Sequence, residues 1–275
     1  WQHTSGAFFS YQWLHTDGPV YFGEAMNKQI LSSMGMPPTV ASAMTLTDNY
    51  VPGEFKTPQL NVGVYHESNF SIADRLMLTL GLRYDHQRVE INYDSYSHFL
   101  LGLNMPPRPA VSSHFRSVMQ GGTAESYDQL LPKFALTYRI SDDGSNVYAT
   151  VSKGFRAGGY NLQMFSDIFK SEQSALGMKL MQLMKGDMTL THTDAEYDNI
   201  NRTITYKPEV SWNYELGAHL NLFGGKLHAD ASVYYTRISN QQLSVMAGNY
   251  GYGRMMVNAG KSSSCGVELA LRGKA

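Results

Sequence analysis

The chain has 275 residues, a formal net charge of −1, 43% hydrophobic residues and one cysteine, Cys265. A nearly neutral chain gives no reason to expect a nucleic-acid partner, which favours a basic patch. A single cysteine excludes an internal disulfide and fits no zinc-binding pattern. No run reaches the roughly 18 apolar residues of a membrane helix, although strands that alternate apolar and polar residues can cross a membrane at low average hydropathy.

Alternation of this kind predicts about eight β-strands along the chain. They lie within residues 1–13, 60–65, 76–85, 133–139, 147–152, 210–222, 227–236 and 257–271. In residues 210–222 one face carries Trp212, Tyr214 and Leu216, and the other carries Asn213 and Glu215. That run of about thirteen residues exceeds the roughly nine to eleven of a tilted transmembrane strand. The pattern predicts a sheet with lipid on one side and a wet interior on the other.

The predicted connections alternate between short and long. Short turns rich in Gly, Asp, Asn and Ser are expected at 67–74, 141–145 and 223–226, and long loops at 14–55, 93–128, 157–207 and 244–254. Helical spacing within the loops predicts a helix at 171–185 and, on weaker evidence, one at 22–34, whereas LNMPPRP (103–109) indicates irregular loop. Tight turns at one rim and long loops at the other are typical of an up-and-down transmembrane barrel.

Several segments, in this order, resemble the barrel of TonB-dependent outer-membrane receptors. They are LTLGLRYDHQRVEI (78–91), LPKFALTYRISDDGSNVYA (131–149), VYATVSKGFRAGGYN (147–161), KPEVSWNYELGAHLNLFGGKLHADASVYYTRISNQQ (207–242) and VNAGKSSSCGVELAL (257–271). The resemblance implies an all-β, antiparallel up-and-down transmembrane β-barrel in the bacterial outer membrane, with short periplasmic turns and long extracellular loops. Such barrels have about 22 strands, and residues 1–275 are expected to form about eight of them. The plug domain, its TonB-binding segment and the C-terminal strands are expected to lie outside this chain.

The resemblance further implies an active importer rather than an enzyme. The expected ligand is an iron–siderophore or a similar small metal chelate. The expected partners are the TonB complex, which supplies energy through the plug, and the surrounding outer-membrane lipid. No nucleophile-elbow pattern indicates catalytic residues. His15, His98, His114 and His192 fall in or beside long loops, but no paired ligand spacing predicts a metal site or cofactor. The alternatives are a small closed structural or adhesin-type barrel and an importer of haem, cobalamin or glycan.

Seven residues near the long-loop rim are the candidate ligand contacts. Arginine recognises carboxylate or catecholate oxygens through two parallel hydrogen bonds, and tyrosine offers a broad amphipathic surface. The candidates are Arg156 and Tyr160 beside Gly158–Gly159, Arg88 and Tyr93 at the expected end of a strand, and Tyr250, Tyr252 and Arg254 in NYGYGR. For any single tyrosine, a place in the aromatic girdle of the membrane interface explains the residue equally well.

Overall fold

The computed structural model describes residues 1–179, 185–246 and 254–273. The strands are β1 (Gln2–Asp17), β2 (Val20–Tyr21), β3 (Met44–Val51), β4 (Gly53–Ala73), β5 (Leu76–Leu103), β6 (Val111–Arg139), β7 (Asn146–Arg156), β8 (Gly159–Tyr160), β9 (Met188–Leu190), β10 (Thr205–Tyr206), β11 (Glu209–Leu222), β12 (Leu227–Ser239), β13 (Gln242–Met246), β14 (Arg254–Asn258) and β15 (Lys261–Gly273). The helices are α1 (Glu24–Ser33), α2 (Pro38–Ala41), α3 (Met164–Ala175) and α4 (Asp194–Ile204), and a 3-10 turn covers Leu176–Lys179.

Eight long strands form one continuous wall in the order β1-β4-β5-β6-β7-β11-β12-β15. Every neighbouring pair is antiparallel, so the prediction of about eight up-and-down strands is confirmed. In the part of the chain that the structure describes, β1 and β15 are the two edges of this wall. The wall is therefore an open, partial barrel and not a small barrel closed on itself. None of the described helices is long and apolar enough to cross a membrane.

The half of the wall nearest the tight turns has two chemically different faces. Its outer face exposes apolar side chains such as Leu80, Phe134 and Leu216. Its inner face is polar: the Lys133 ammonium lies 2.9 Å from the Glu67 carboxylate. On β5 the outer face stays apolar from residue 76 to 84, and on β6 from 130 to 138. These stretches of about nine residues match the length of a transmembrane strand, which confirms the alternation read from the sequence.

The polarity of the two faces inverts above the membrane-spanning stretch. At the boundary, His86 Nδ1 on the outer face of β5 lies 2.8 Å from Asp128 Oδ1 on β6. Beyond this point the outer face of β5 is polar, while its inner face buries Val89, Ile91 and Phe99. Because β5 and β6 stay paired as far as Leu103 and Val111, the prediction of a long loop at 93–128 is wrong. Only residues 104–110 turn irregularly, as the LNMPPRP tract predicted.

Small polar residues on the inner face interrupt the apolar alternation of β5 above the membrane band. For this reason the sequence did not predict that the strand continues to Leu103. Ser95 and Ser97 are fully buried on the inner face, so the apolar alternation expected of a half-buried strand fails although the backbone remains extended. Small side chains leave room for the loop helices to approach the sheet closely. The helices cover this inner face and fold over the mouth of the wall.

Two apolar clusters hold that helical layer on the upper hairpin. One joins α1 and β3 to β5 and β6 through residues such as Ile30, Leu46, Phe99 and Phe115. The other joins α3 and α4 to β4, β5 and β6 and includes Phe55, Ile91, Tyr93, Met119, Phe165, Phe169, Ile200 and Ile204. The largest buried side chains of the described residues thus lie outside the membrane-spanning band.

The helix predictions were partly correct. The helix at 22–34 is confirmed by α1, whereas the helix expected at 171–185 begins earlier, at Met164, and ends at Ala175 before the 3-10 turn; residues 180–184 lie outside the described residues. Helix α4 was missed, although the sequence marks its start. Thr193 accepts a hydrogen bond from the Glu196 amide, and the Glu196 carboxylate accepts one from the Thr193 amide, which is a capping box.

Two predicted boundaries also need correction. Strand β4 continues to Ala73, so the turn expected at 67–74 is reduced to residues 74–75. Residues 257–271 form two strands, because Gly260 adopts a left-handed backbone with φ +80° and breaks the extended run. Consequently β14 pairs with β13 in a separate hairpin, and only β15 joins the wall.

Candidate functional site

A cleft of about 930 Å³ opens at the long-loop end of the wall, between β6, α4 and the start of β11. Its lining combines phenol, carboxylate, amide and cationic groups with a substantial apolar surface. The lining residues are Thr123, Glu125, Tyr127, Gln129, Asp198, Asn201, Arg202, Thr205, Lys207, Pro208, Val210 and Asn240. The cleft lies above the membrane band, on the inner face of β6.

Strand alternation and helix packing together position these groups. Glu125, Tyr127 and Gln129 alternate along β6, so they share one face. Helix α4 is seated by its buried Ile200 and Ile204, which leaves the opposite helix surface free for polar residues. The cleft wall is therefore built from one strand and one helix that are far apart in the sequence.

The Gly158–Gly159 pair sits beneath a cluster of tyrosines at the edge of the cleft. A Cβ atom added to Gly158 would lie 2.6 Å from the Tyr127 hydroxyl, and one added to Gly159 would lie 2.5 Å from the Tyr206 hydroxyl. Real Cβ atoms do not approach other atoms so closely, so glycine lets the rings lie against the chain. Tyr160 reaches across to β5 and β6, where its hydroxyl is 3.3 Å from the carbonyl oxygens of Val89 and Thr123.

These tyrosines are held in the neutral form. Burial raises the pKa of Tyr127 to about 12, and the nearby Glu125 carboxylate acts in the same direction. Burial likewise raises the pKa of Tyr206, while the charge of Arg156 opposes that rise. Since a phenol below its pKa keeps its proton, each hydroxyl remains a hydrogen-bond donor at neutral pH. The site can therefore offer hydroxyl and cationic donors together.

The structure brings only part of the predicted set to this site. Arg156 and Tyr160 lie at its edge, beside the glycine pair that the sequence singled out. Arg254 begins β14, is exposed, and pairs in register with Met246 in the separate hairpin. Tyr250 and Tyr252 lie outside the described residues.

The expectation that Arg88 and Tyr93 share a strand end is wrong. Strand β5 continues to Leu103, and an even and an odd position on one strand face opposite ways. Arg88 is on the outer face, with Nη2 3.5 Å from Glu90 Oε2. Tyr93 is only 4% exposed, its ring centroid lies 4.7 Å from that of Phe165, and burial raises its pKa to about 12. Tyr93 therefore belongs to the packing of the helical layer.

Five residues at the cleft and its edge were not among the predicted contacts: Glu125, Tyr127, Arg202, Tyr206 and Lys207. Two signals could have found them. Alternation in TAESYDQ (123–129) aligns Glu125 with Tyr127, and the Thr193–Glu196 capping box predicts the helix that carries Arg202. Neither signal shows that the strand and the helix meet, which depends on the tertiary fold.

The four histidines predicted in or beside long loops do not gather at the cleft. In the described ranges, no three side chains among His, Cys, Asp and Glu come close enough to share a metal ion. His192 is buried, and its Nε2 lies 2.6 Å from Glu172 Oε1, whose other oxygen accepts a hydrogen bond from Ser117. His15 pairs with Glu54 at the top of β1.

The membrane-spanning band is a wall of antiparallel strands, apolar outside and polar inside, with tight turns at one rim and folded loops at the other. These features define an outer-membrane β-barrel. Residues 2–274 match the family model described as TonB dependent receptor-like, beta-barrel. The chain therefore belongs to the TonB-dependent receptor-like β-barrel family, whose members are outer-membrane transporters and not enzymes.

Similar solved structures include transporters with different cargoes. The ferric yersiniabactin uptake receptor FyuA from Yersinia pestis is 19% identical over 81% of this chain and 26% of its own length, with a TM-score of 0.48. The ferric-catecholate import receptor Fiu from K12 E. coli is 12% identical over 98% of this chain and 36% of its own, with a TM-score of 0.44. The copper transporter OprC is 13% identical over 82% of this chain and 36% of its own length, with a TM-score of 0.36. The chain thus spans between about a quarter and just over a third of the lengths of these three proteins.

Proposed function

We propose that the chain is part of the wall of a TonB-energised importer and that its rim cleft takes part in binding an iron–siderophore or similar metal chelate. The observation that carries the proposal is the cleft of about 930 Å³ at the long-loop rim, inside the mouth of the wall. Family membership supports transport, because the family consists of receptors of this kind. The proposal also includes further barrel strands, a plug domain and a contact with TonB, none of which it assigns to residues 1–275.

The chemistry of the lining supports a polar, oxygen-rich ligand. Arg202 and Lys207 offer charged donors, and Tyr127 offers a neutral hydroxyl beside an aromatic surface. Glu125 and Asp198 balance the two cations, so a simple polyanion would meet repulsion as well as attraction. A chelate that carries both oxygen acceptors and hydroxyl or amide donors fits this lining best.

The proposal is tested on the whole receptor in its native membrane. The variants Arg156→Ala and Arg202→Ala remove cations at the cleft and should weaken binding of an anionic iron chelate; Arg254→Ala should do so if the β13–β14 hairpin contributes. Arg88→Ala is the matched control, because Arg88 lies on the opposite face of β5. Binding and uptake of radioiron are measured with a ferric tris-catecholate and with ferric citrate. Equal binding constants for Arg156→Ala, Arg202→Ala and Arg88→Ala would remove the cleft from the proposal.

Importers of haem, cobalamin or glycan are the second class of candidates. Haem and cobalamin are large and largely apolar or amide-rich, and a glycan is uncharged and rich in hydroxyls. Adding haem, cyanocobalamin and maltooligosaccharides to the same binding assay separates these classes. Saturable uptake of one of them, with no uptake of either iron chelate, would replace the siderophore proposal while leaving the importer class intact.

A further inference from the structure

Two histidines converge on the outer face of the upper β5–β6 hairpin, away from the rim cleft. His98 lies on β5 and His114 on β6, and both side chains are above the membrane-spanning band. Nε2 of His98 is 3.4 Å from Nδ1 of His114, and the two ring centroids are 5.5 Å apart. The pair is diagonal, two residues off direct register, because His98 pairs with Arg116 and His114 with Leu100.

The surroundings of His98 decide which of its nitrogens carries the proton. Its Nδ1 is 3.3 Å from the carbonyl oxygen of Asp48, and a carbonyl only accepts hydrogen bonds, so Nδ1 is the donor. The neutral ring then has its lone pair on Nε2, the atom that faces His114. Asp48 is able to present its carbonyl because β3 is irregular between Thr47 and Tyr50, where Asp48 takes φ +50°. A backbone carbonyl holding the remote nitrogen of a histidine is the usual support of a metal ligand.

The distance between the facing nitrogens fits a shared ion. Imidazole nitrogens bind Zn²⁺ at about 2.0–2.1 Å, so two nitrogens in tetrahedral coordination are about 3.4 Å apart. Without an ion, Nδ1–H of His114 can donate a long hydrogen bond to Nε2 of His98 across the same 3.4 Å, and a bound ion would replace that proton. A carboxylate is also near: Asp187 Oδ1 accepts a hydrogen bond of 2.9 Å from the His114 backbone amide. Its negative charge favours a cation beside that histidine.

We propose that His98 and His114 form a two-imidazole binding site for a divalent transition-metal ion, with water at the remaining positions. Nitrogen ligands favour Cu²⁺, with Ni²⁺ and Zn²⁺ weaker. The ion would join β5 to β6 and, through Asp48, brace β3 against the hairpin. The site does not depend on the proposed transport function, because it lies on the face of the hairpin opposite the helical layer and the cleft.

One neighbouring cation limits the affinity of the site. Arg116 pairs with His98 across the strands, and its guanidinium carbon lies 4.1 Å from the centroid of the Tyr96 ring. The aromatic face draws that charge to one side, but it still opposes a bound cation. Neutralising it with Arg116→Gln should therefore strengthen metal binding while both imidazoles stay in place.

The test is a Cu²⁺ titration of the whole receptor in detergent, followed by calorimetry and by electron paramagnetic resonance of the bound copper. His98→Ala and His114→Ala should each remove the tightest binding event and the nitrogen hyperfine signal of two imidazoles. His86→Ala is the matched control, since His86 is also on the outer face of β5 but pairs with Asp128 instead of a histidine. Arg116→Gln should tighten the event.

Two results would overturn the proposal. One is a wild-type titration identical to that of the His98→Ala, His114→Ala double variant; the other is a copper signal that His86→Ala removes and His98→Ala preserves. His98→Gln, which keeps a polar side chain at the same place, distinguishes loss of the site from misfolding. This variant should lose the copper-binding event, while the receptor keeps its β-sheet circular dichroism and its heat-modifiable mobility on gels. Neither readout requires uptake of any chelate.

Discussion

The helical layer over the mouth of the wall should be detachable by a single core substitution, Phe165→Ala. Phe165 on α3 is 1% exposed, and its ring centroid lies 5.1 Å from that of Phe55 and 4.7 Å from that of Tyr93. Truncating a buried phenylalanine costs about 3–5 kcal/mol. The aromatic pairs account for roughly 0.5–1.5 kcal/mol each beyond the buried area.

That cost should fall on the docking of α3 and not on the membrane-spanning wall. The strand residues that contact the Phe165 ring, Phe55 and Tyr93, lie above the membrane-spanning stretches of β4 and β5. Since about 1.4 kcal/mol is a tenfold change in an equilibrium, the undocked population should rise roughly a hundred- to a few thousand-fold. Hydrogen exchange of the α3 amides, measured by mass spectrometry on the whole receptor, should accelerate by that factor, while the amides of residues 76–84 remain protected.

The control for this experiment is Phe223→Ala, at the tight turn between β11 and β12. Phe223 is 77% exposed, so its removal should leave the exchange of α3 unchanged. Unaltered exchange of α3 in Phe165→Ala would refute the packing argument. Equal acceleration of α3 and residues 76–84 would refute the claim that the helical layer opens independently of the wall.

Two further predictions concern the membrane band and the effect of pH. Phe134→Arg places a charge near the middle of the lipid-facing band of β6 and should lower the free energy of unfolding of the barrel by about 2–4 kcal/mol, measured by urea unfolding from lipid vesicles. Ala135→Arg, on the inner face, should lower it far less. Equal losses of stability would contradict the assignment of faces. Tyr93 has its pKa raised by burial from 10.0 to about 12, so the docked layer is fully stable below pH 10 and should loosen as pH rises from about 10 to 12, because only the undocked phenol ionises there. Tyr93→Phe should flatten that part of the near-ultraviolet circular dichroism titration, and an unchanged titration would exclude Tyr93 as its source.

The transmembrane wall could be predicted from the sequence because its physics is local. A strand between lipid and water must alternate at every residue, and the segments at 76–85, 210–222 and 227–236 do so without help from distant contacts. The turns are likewise indicated by local residues: Ser, Asp and Gly at 141–145 and two glycines at 223–226. These features, together with the family resemblance of the same segments, were sufficient to predict the class of protein and its family.

The upper hairpin was not predictable in this way, since its environment is reversed. Above His86 the inner face of β5 is covered by helices and the outer face is wet, so the pattern of the lower strand no longer applies. Ser95 and Ser97 are fully buried on that inner face. Helix α3, about 70 residues further along the chain, packs on the same face of β5 through Phe165 and Phe169. A polar residue under a helix looks like a loop residue when only its neighbours in sequence are considered.

The sequence by itself determined that this protein is a wall of membrane strands, because alternation between lipid and water is imposed residue by residue. Only the tertiary structure decided which candidates meet. It brings Arg156 and Tyr160 to Tyr127 and Tyr206, turns Arg88 to the outer face, and buries Tyr93 under α3. Those outcomes depend on where a strand truly ends and on which helix packs over it, and both are settled by long-range packing that no local pattern encodes.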